Sequence, residues 1–219
     1  MNSAQEERGR RGRGKRQEIL AAATDRFGRD GYEHTKWADI AADVGVGATA
    51  LYHYFESKQH CLYEIMDDAI ADFHARFVAV TSRERDSMRA MELVMASCFE
   101  LSDRDVLRNR VLVAEQGRLS SPSASEPEEQ ARQAARSRMR ELEFAWASFL
   151  ATAMRDGAIP ETDPRLLTRA VLGLYNSIWH WYRPNGIIAL SRIADYYTEL
   201  ALALIGLPPV APGLERTAA

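Results

Sequence analysis

The sequence predicts an all-α protein in which a three-helix head containing a helix-turn-helix precedes a larger helical domain. After Gly14, apolar residues recur at spacings of three and four, and no segment alternates apolar and polar residues as a half-buried strand would. Glycine and proline residues divide the chain into short helical segments near the N-terminus and longer ones towards the C-terminus. Together these observations indicate helices packed into two units of different size.

The composition is that of an ordinary globular chain, with 46% hydrophobic and 27% charged residues in 219. Apolar runs such as 111–114 fall far short of the roughly 20 residues that span a bilayer. The N-terminus lacks the apolar segment of a secretory signal. Cys61 and Cys98 lie far apart without metal-type spacing, so we expect no disulfide framework and a reducing, cytoplasmic location.

A basic, glycine-rich segment precedes the first predicted helix. Six basic residues and no acidic one lie between Arg8 and Arg16, separated by glycines. A flexible cationic arm can follow a phosphate backbone or enter a minor groove, so Arg11 and Arg13 are candidate DNA contacts. The alternative is a disordered solubilising tail.

Three short helices are predicted in the head. The first runs from about Lys15 to Gly28, and the second starts at Thr35 as its N-cap and ends at Gly45. Its one-sided apolar stripe consists of Trp37, Ile40, Ala41 and Val44. A third helix, over about 47–55, follows a tight glycine turn. This arrangement describes a helix-turn-helix.

The third helix has two chemically different faces. Its inward positions are Leu51, Tyr54 and Phe55. Because successive residues advance about 100° around a helix, Thr49 and His53 then project outward, with Tyr52 beside them. Hydroxyl, imidazole and phenol groups can hydrogen-bond bases or phosphates, and this face carries no carboxylate. Alternatively, His53 is a solvated surface histidine and Tyr54 a half-buried aromatic residue.

Residues 15–65 carry a distinctive set of residue types in a fixed order. The set comprises Ile19-Leu20-Ala21-Ala22-Ala23, Phe27, Gly31-Tyr32, Thr35, Ile40-Ala41, Gly45-Val46, Leu51-Tyr52-His53-Tyr54-Phe55 and Lys58. In this pattern the chain resembles the TetR-type transcriptional repressors. The resemblance implies an all-helical homodimer that binds a palindromic operator and leaves it when a small molecule binds the C-terminal domain.

The resemblance also implies roles for individual residues. It implies phosphate or backbone contacts from Thr35, Lys36, Tyr54 and Lys58, and major-groove contacts from Thr49, Tyr52 and His53. The chain departs from the common family pattern at Trp37, Ala38, Gly47 and Ala48. Because these departures leave fewer charged groups at the interface, we expect the basic arm to supply more of the phosphate attraction.

The larger domain is predicted to bind an effector. A long helix capped by Ser57 and running to about Val80 connects it to the head. The methionine and aromatic residues of the larger domain suit an adaptable apolar cavity, although ordinary core packing also explains each of them. The candidate pocket residues are Phe73, Met95, Phe99, Phe144, Phe149, Tyr175 and Trp179. Segment 179–183 is similar to a segment of relatives that sense acyl-CoA or other lipid-like thioesters, which implies an apolar or amphipathic effector.

The last two predicted helices have the spacing of a subunit interface. Asp163 and Pro164 open the first of them. Its stripe consists of Leu167, Val171, Leu174, Ile178 and Trp181, and the second helix, over about 188–206, contributes Ile193, Tyr197, Leu200 and Leu204. Two such helices from each subunit can form a four-helix bundle across a two-fold axis. The alternative is that both stripes face their own subunit's core.

The predicted domain organisation follows from these segments. It comprises a flexible basic arm (1–14), a helix-turn-helix domain (15–58), a ligand-binding and dimerisation domain (59–207) and a frayed tail (208–219). The five histidines form no pair at metal-ligand spacing on one helix, so we expect no metal, no cofactor and no enzyme. Two alternatives stay open: a helical ligand-binding protein or enzyme without DNA function, and a constitutive architectural DNA binder.

Overall fold

The computed structural model describes the backbone of residues 2–206 and the side chains of residues 12–206, and its regular structure there is entirely helical. The helices are α1 (Asn2–Asp30), α2 (Trp37–Asp43), α3 (Ala48–Leu51), α4 (Lys58–Thr81), α5 (Ser87–Ser97), α6 (Asp103–Glu115), α7 (Glu126–Arg155), α8 (Pro164–Trp181) and α9 (Leu190–Gly206), with a 3₁₀ turn at Gln116–Ser120. The predicted all-α fold is confirmed over this range. None of these helices is long and apolar enough to cross a membrane.

The first three helices form a head, and the buried side chains of Ile19, Phe27, Ile40, Leu51 and Phe55 lie between them as part of the hydrophobic core that continues into the body. Gly45 lies between α2 and α3 with φ 68°, a conformation that glycine adopts without a steric penalty. The predicted helix-turn-helix is therefore present, with the apolar stripes of its helices facing one another.

The start of α1 differs from the prediction. The helix begins at Asn2 and not at Lys15, so the segment predicted as a flexible arm continues α1. Extending a helix that is already anchored by buried residues such as Ile19 is much easier than nucleating one. The intervening glycines, at about 1 kcal/mol each, do not interrupt it. The side chain of Arg11 and the tail 208–219 lie outside the described residues.

Two further boundaries in the head were predicted incorrectly. The N-cap of α2 is Lys36, without a side-chain cap bond. Thr35 is 3% exposed, and its hydroxyl instead donates to the Gly31 carbonyl at 2.9 Å. The α3 helix ends at Leu51, and single turns continue it, with the His53 amide donating to the Ala50 carbonyl at 3.2 Å. The chain therefore keeps a helical path through most of the predicted third helix.

The body is built around α4, which packs most extensively against α7. As predicted, Ser57 caps α4, and its hydroxyl accepts the His60 amide at 3.0 Å. Trp146 of α7 stacks on Phe73 and Phe77 of α4, with ring centroids 6.0 and 4.8 Å apart. Because α4 also starts inside the head, one continuous helix connects the aromatic core of the body to the helix-turn-helix.

Candidate DNA interface, effector cavity and subunit interface

The outward face of α3 and the turn after it carries the predicted polar residues. Thr49, Tyr52 and His53 are exposed, and Tyr52 is 57% accessible. Leu51 and Phe55 between them are buried in the head. The two faces therefore separate as the sequence predicts, and hydrogen-bonding groups stand on a surface that is free within the protomer.

Packing around Phe55 fixes the orientation of this surface. The ring of Phe55 meets Trp37 edge to face at a centroid distance of 6.4 Å, and the Arg16 guanidinium lies 4.5 Å from its centroid. Arg16 also pairs with Glu64 of α4. Helices α1, α2 and α4 thus hold Phe55, at the end of the exposed polar face, in place.

Two residues expected at phosphates are engaged inside the head. Thr35 is buried, as described above. Lys58 donates to the Tyr32 carbonyl at 2.8 Å and the Thr35 carbonyl at 3.0 Å, and its Nζ lies 4.1 Å from the Tyr32 ring centroid. These loop carbonyls need donors, which explains why Lys58 turns inward. Phosphate contact from the Thr35 and Lys58 side chains is therefore not supported.

Other candidate phosphate contacts remain at the surface of the head. The side chains of Lys36 and Arg13 are exposed, and Tyr54 is half-buried. Lys36 is the N-cap of α2, whose first turn also carries Asp39. The resulting surface has few cations, in agreement with the departures noted in the sequence.

A cavity lies between α4, α6, α7 and α8. The space between its lining atoms is about 460 Å³, a figure that includes open solvent, and only a small part of it can hold water-sized molecules. Three predicted residues, Phe73, Tyr175 and Trp179, line it. The candidate pocket residues omitted the rest of its lining, namely Ala69, Ile70, Asn109, Leu112, Val113, Gln116, Met139, Leu142, Leu172 and Asn176. Most of these residues follow the apolar periodicity of α4, α6, α7 and α8, which ordinary core residues share.

Four predicted pocket residues lie elsewhere. Met95 is packed in the core, and Phe99 is a neighbour of Tyr175, at a centroid distance of 5.6 Å, without lining the cavity. Phe149 packs against Phe77 at 5.8 Å. Phe144 is 74% exposed. It is two positions before buried Trp146 on α7, which places the two side chains on opposite faces of the helix.

The polar groups at the inner end of the cavity are neutral and mostly paired. The Tyr175 hydroxyl donates to the Cys98 carbonyl at 3.1 Å and accepts from Asn109 Nδ2 at 3.3 Å. Burial raises the pKa of Tyr175 well above its ordinary value and that of the Cys98 thiol to about 12. Trp179 Nε1, by contrast, is buried without a hydrogen-bond partner among the described residues.

The predicted seam on α8 faces the protomer's own core. Leu167, Val171 and Ile178 are buried within a single chain, and so is Ile193 of α9. Among the predicted seam residues, Trp181 is 46% exposed. The exposed or half-exposed face of α8 instead carries Leu166, Ala170, Gly173, Ser177 and Trp181, and Tyr196 is exposed on α9. The residues of this face also recur at spacings of four and three, but several of them are smaller than the residues of the predicted seam.

The chain matches two models of one protein family. The model described as bacterial regulatory proteins of the tetR family matches residues 19–65, and the model described as the tetracyclin repressor-like C-terminal domain matches residues 104–205. These ranges correspond to the head with the start of α4 and to the body from α6 to α9. Together they span more than half of the chain.

Individual relatives agree in sequence and fold. The HTH-type transcriptional repressor KstR2 of Rhodococcus jostii is 26% identical over 206 residues, covering 89% of this chain and 93% of that protein. The TetR family regulator PfmR of Thermus thermophilus superimposes with a TM-score of 0.70 at 28% identity, covering 87% of this chain and 99% of that one. AibR, solved with isovaleryl coenzyme A and operator DNA, superimposes with a TM-score of 0.71 at 20% identity, and the match covers 86% of this chain and 98% of that one.

These matches confirm the family predicted from residues 15–65 and extend it over the body. They also confirm that the protein is a transcriptional regulator and not an enzyme. The chain belongs to the TetR family of bacterial DNA-binding transcriptional regulators.

Proposed function

We propose that the protein is a homodimeric repressor that binds a palindromic operator and is released by a small apolar or amphipathic effector. The exposed polar face formed by Thr49, Tyr52 and His53, backed by buried Leu51 and Phe55, carries the DNA-binding part of this proposal. KstR2 is named a repressor, and AibR was solved with both operator DNA and an acyl-CoA, which supports binding of both kinds of ligand here. A cytoplasmic location stays a prediction.

The exposed face of α8 supports the homodimer. Leu166 and Trp181 stand at its two ends with 63% and 46% of their surfaces exposed. Gly173 lies between them, and a Cβ added there would meet no atom within 4 Å. A glycine inside a helix costs about 1 kcal/mol relative to alanine, and close approach of a second helix is a reason to retain one. An isologous contact through α8 and α9 would cover this face.

The cavity supports release by an effector. In this state its walls leave room for only water-sized molecules, so an effector with several carbon atoms has to separate them. Phe73 is part of the wall on α4, and α4 is continuous from Lys58 to Thr81. Displacing it therefore tilts the head. Half-sites on a duplex lie about 34 Å apart or a multiple of that, so a tilt of both heads weakens operator binding.

Replacement of His53 by alanine is expected to lower operator affinity by about tenfold or more and to relax the preference at particular base pairs. The side chain is exposed on the outward face and takes no part in the head core, so folding is preserved. Sites selected by the wild-type protein from random duplexes, followed by gel-shift titration of single-base variants, measure both effects.

The matched control is His34→Ala, which removes an exposed histidine of the same head between α1 and α2. It should retain wild-type affinity and base preference. Equal, uniform losses for both variants would contradict base recognition by His53. Failure of the wild-type protein to select any sequence would contradict the repressor function itself.

A further inference from the structure

A second recess lies at the junction of the head and the body. Phe27, Gly28 and Gly31 at the end of α1 form one wall, and Arg110, Trp179 and Arg183 contribute to the other. The space between its lining atoms is about 510 Å³, which includes open solvent. Its lining contains two arginines and no carboxylate, so it is a basic site and not a continuation of the apolar cavity.

The two arginines converge without a counterion. Arg110 Nη1 and Arg183 Nη1 both donate to the Tyr182 carbonyl, each at 3.0 Å. No ion pair within residues 12–206 involves either guanidinium, whereas Arg138 pairs with Asp67 at 2.6 Å. Burial, and then the charge of Arg183, lower the pKa of Arg110. The site therefore holds uncompensated positive charge.

Hydrogen-bonding capacity is also unused here. Arg110 Nε is buried and has no partner among the described residues. An unsatisfied buried donor costs about 1–3 kcal/mol. A ligand oxygen placed between the guanidinium groups would satisfy the arginine donors and neutralise their charges at the same time.

We propose that this recess binds the anionic group, a carboxylate or a phosphate, of an amphipathic effector whose apolar part occupies the cavity between α4, α6, α7 and α8. Trp179 lines both spaces, so they adjoin at its buried indole, and an effector that displaces this side chain can occupy the two together. This inference rests on the proposed function and adds to it the charge of the effector and the position of its charged end.

The position of the recess gives anion binding a direct route to the head. A Cβ added at Gly28 of α1 would lie 2.6 Å from Leu107 Cβ of α6, so the two helices touch at this point. Arg110 is three residues after Leu107 and therefore projects from the same side of α6. An anion that draws Arg110 into the recess shifts α6 against α1, which carries the helix-turn-helix.

The test compares three octyl compounds by isothermal titration calorimetry on the full chain: octanol as the neutral probe, octanoate for a carboxylate and octanoyl-CoA for phosphates. At least one anionic probe should bind about tenfold or more tightly than octanol, and Arg183→Gln should remove most of that margin. The anionic probe whose affinity advantage over octanol is lost in Arg183→Gln identifies the anion as a carboxylate or a phosphate. Arg183→Gln should change the melting temperature little, because Arg183 is exposed and forms no ion pair among the described residues.

Arg140→Gln is the matched control, since Arg140 is exposed on α7 away from the recess. It should leave all three affinities unchanged. Arg110→Lys, which keeps the charge but loses the planar fork, should give a smaller loss than Arg183→Gln. Operator binding by the wild-type protein without any probe tests the repressor function separately.

Three results would overturn the anion site. Equal binding of octanol and both anions by the wild-type protein would show that the arginines do not select charge. If Arg183→Gln kept the full difference in affinity between the anionic probe and octanol, Arg183 would not be part of the anion site. If Arg140→Gln lowered the affinity for the anionic probe as much as Arg183→Gln does, the effect would come from the overall charge of the protein and not from this recess. In each case operator binding by the wild-type protein would leave the repressor function standing.

Discussion

Replacing Gly173 by glutamate is expected to yield a folded monomer that binds a palindromic operator about a hundredfold or more weakly, because the avidity of two linked heads is lost. In the protomer a Cβ at this position meets nothing within 4 Å, so the substitution creates no clash inside one chain. Glutamate is also the better helix former, by up to about 1 kcal/mol. The substitution should therefore disturb only the subunit contact proposed on this face of α8.

The physical reason for the loss is the two-fold symmetry of the proposed interface. Each subunit presents the same face, so one substitution places two carboxylates in or near the same contact. Burying such unpaired charges costs several kcal/mol. Sedimentation velocity measures the oligomeric state, and gel-shift titration measures operator affinity on the same preparation.

Gly117→Glu is the matched control for this experiment. Gly117 is exposed in the 3₁₀ turn, and a Cβ there also meets nothing within 4 Å. It adds the same charge at the same kind of residue, away from α8 and α9, and should remain a dimer. A Gly173→Glu protein that sediments as the wild-type dimer would contradict the interface proposed on α8.

The sequence predicts the head well because its apolar stripes are short and one-sided. Leu51 and Phe55 can face only the small core formed with Ile40, which leaves Thr49 and His53 outward. Sequence reasoning fails at positions where a polar side chain bonds the local backbone. Thr35 bonds the Gly31 carbonyl instead of capping α2. Its residue type suits both roles, and only the path of the chain decides between them.

The body is harder to predict because apolar periodicity does not identify the neighbour that covers a stripe. Leu167, Val171 and Ile178 have the spacing of a subunit seam, yet they pack inside the protomer. The face left exposed around Gly173 is less apolar and gives a weaker signal. The same difficulty applies to Phe144, an aromatic residue on the outer side of α7.

The basic recess could not be predicted, because its two arginines are far apart in the sequence. Arg110 belongs to α6, and Arg183 follows α8. Each alone reads as an ordinary surface cation among the 28 basic residues of the chain. Only the fold brings both to the Tyr182 carbonyl and leaves carboxylates out.

Replacing Gly28 by alanine is expected to lower the free energy of unfolding by about 1–3 kcal/mol through overpacking. The added Cβ would lie 2.6 Å from Leu107 Cβ and 3.0 Å from Leu107 Cα, so α1 and α6 have to separate. The obstacle is close to the backbone of α6, and a rotamer change cannot remove it. For the same reason Leu107→Ala, which keeps its Cβ, should not rescue Gly28→Ala.

Gly14→Ala makes the same replacement in the same helix, at a site where a Cβ meets nothing within 4 Å. It should leave stability unchanged or raise it by up to about 1 kcal/mol, because alanine is the better helix former. Urea denaturation should therefore show a lower free energy of unfolding for Gly28→Ala and an unchanged or higher one for Gly14→Ala. Since α1 carries the head and α6 carries Arg110, Gly28→Ala should also weaken effector-dependent release of operator DNA. Equal stability of the two variants would contradict the close contact between α1 and α6 on which that coupling depends.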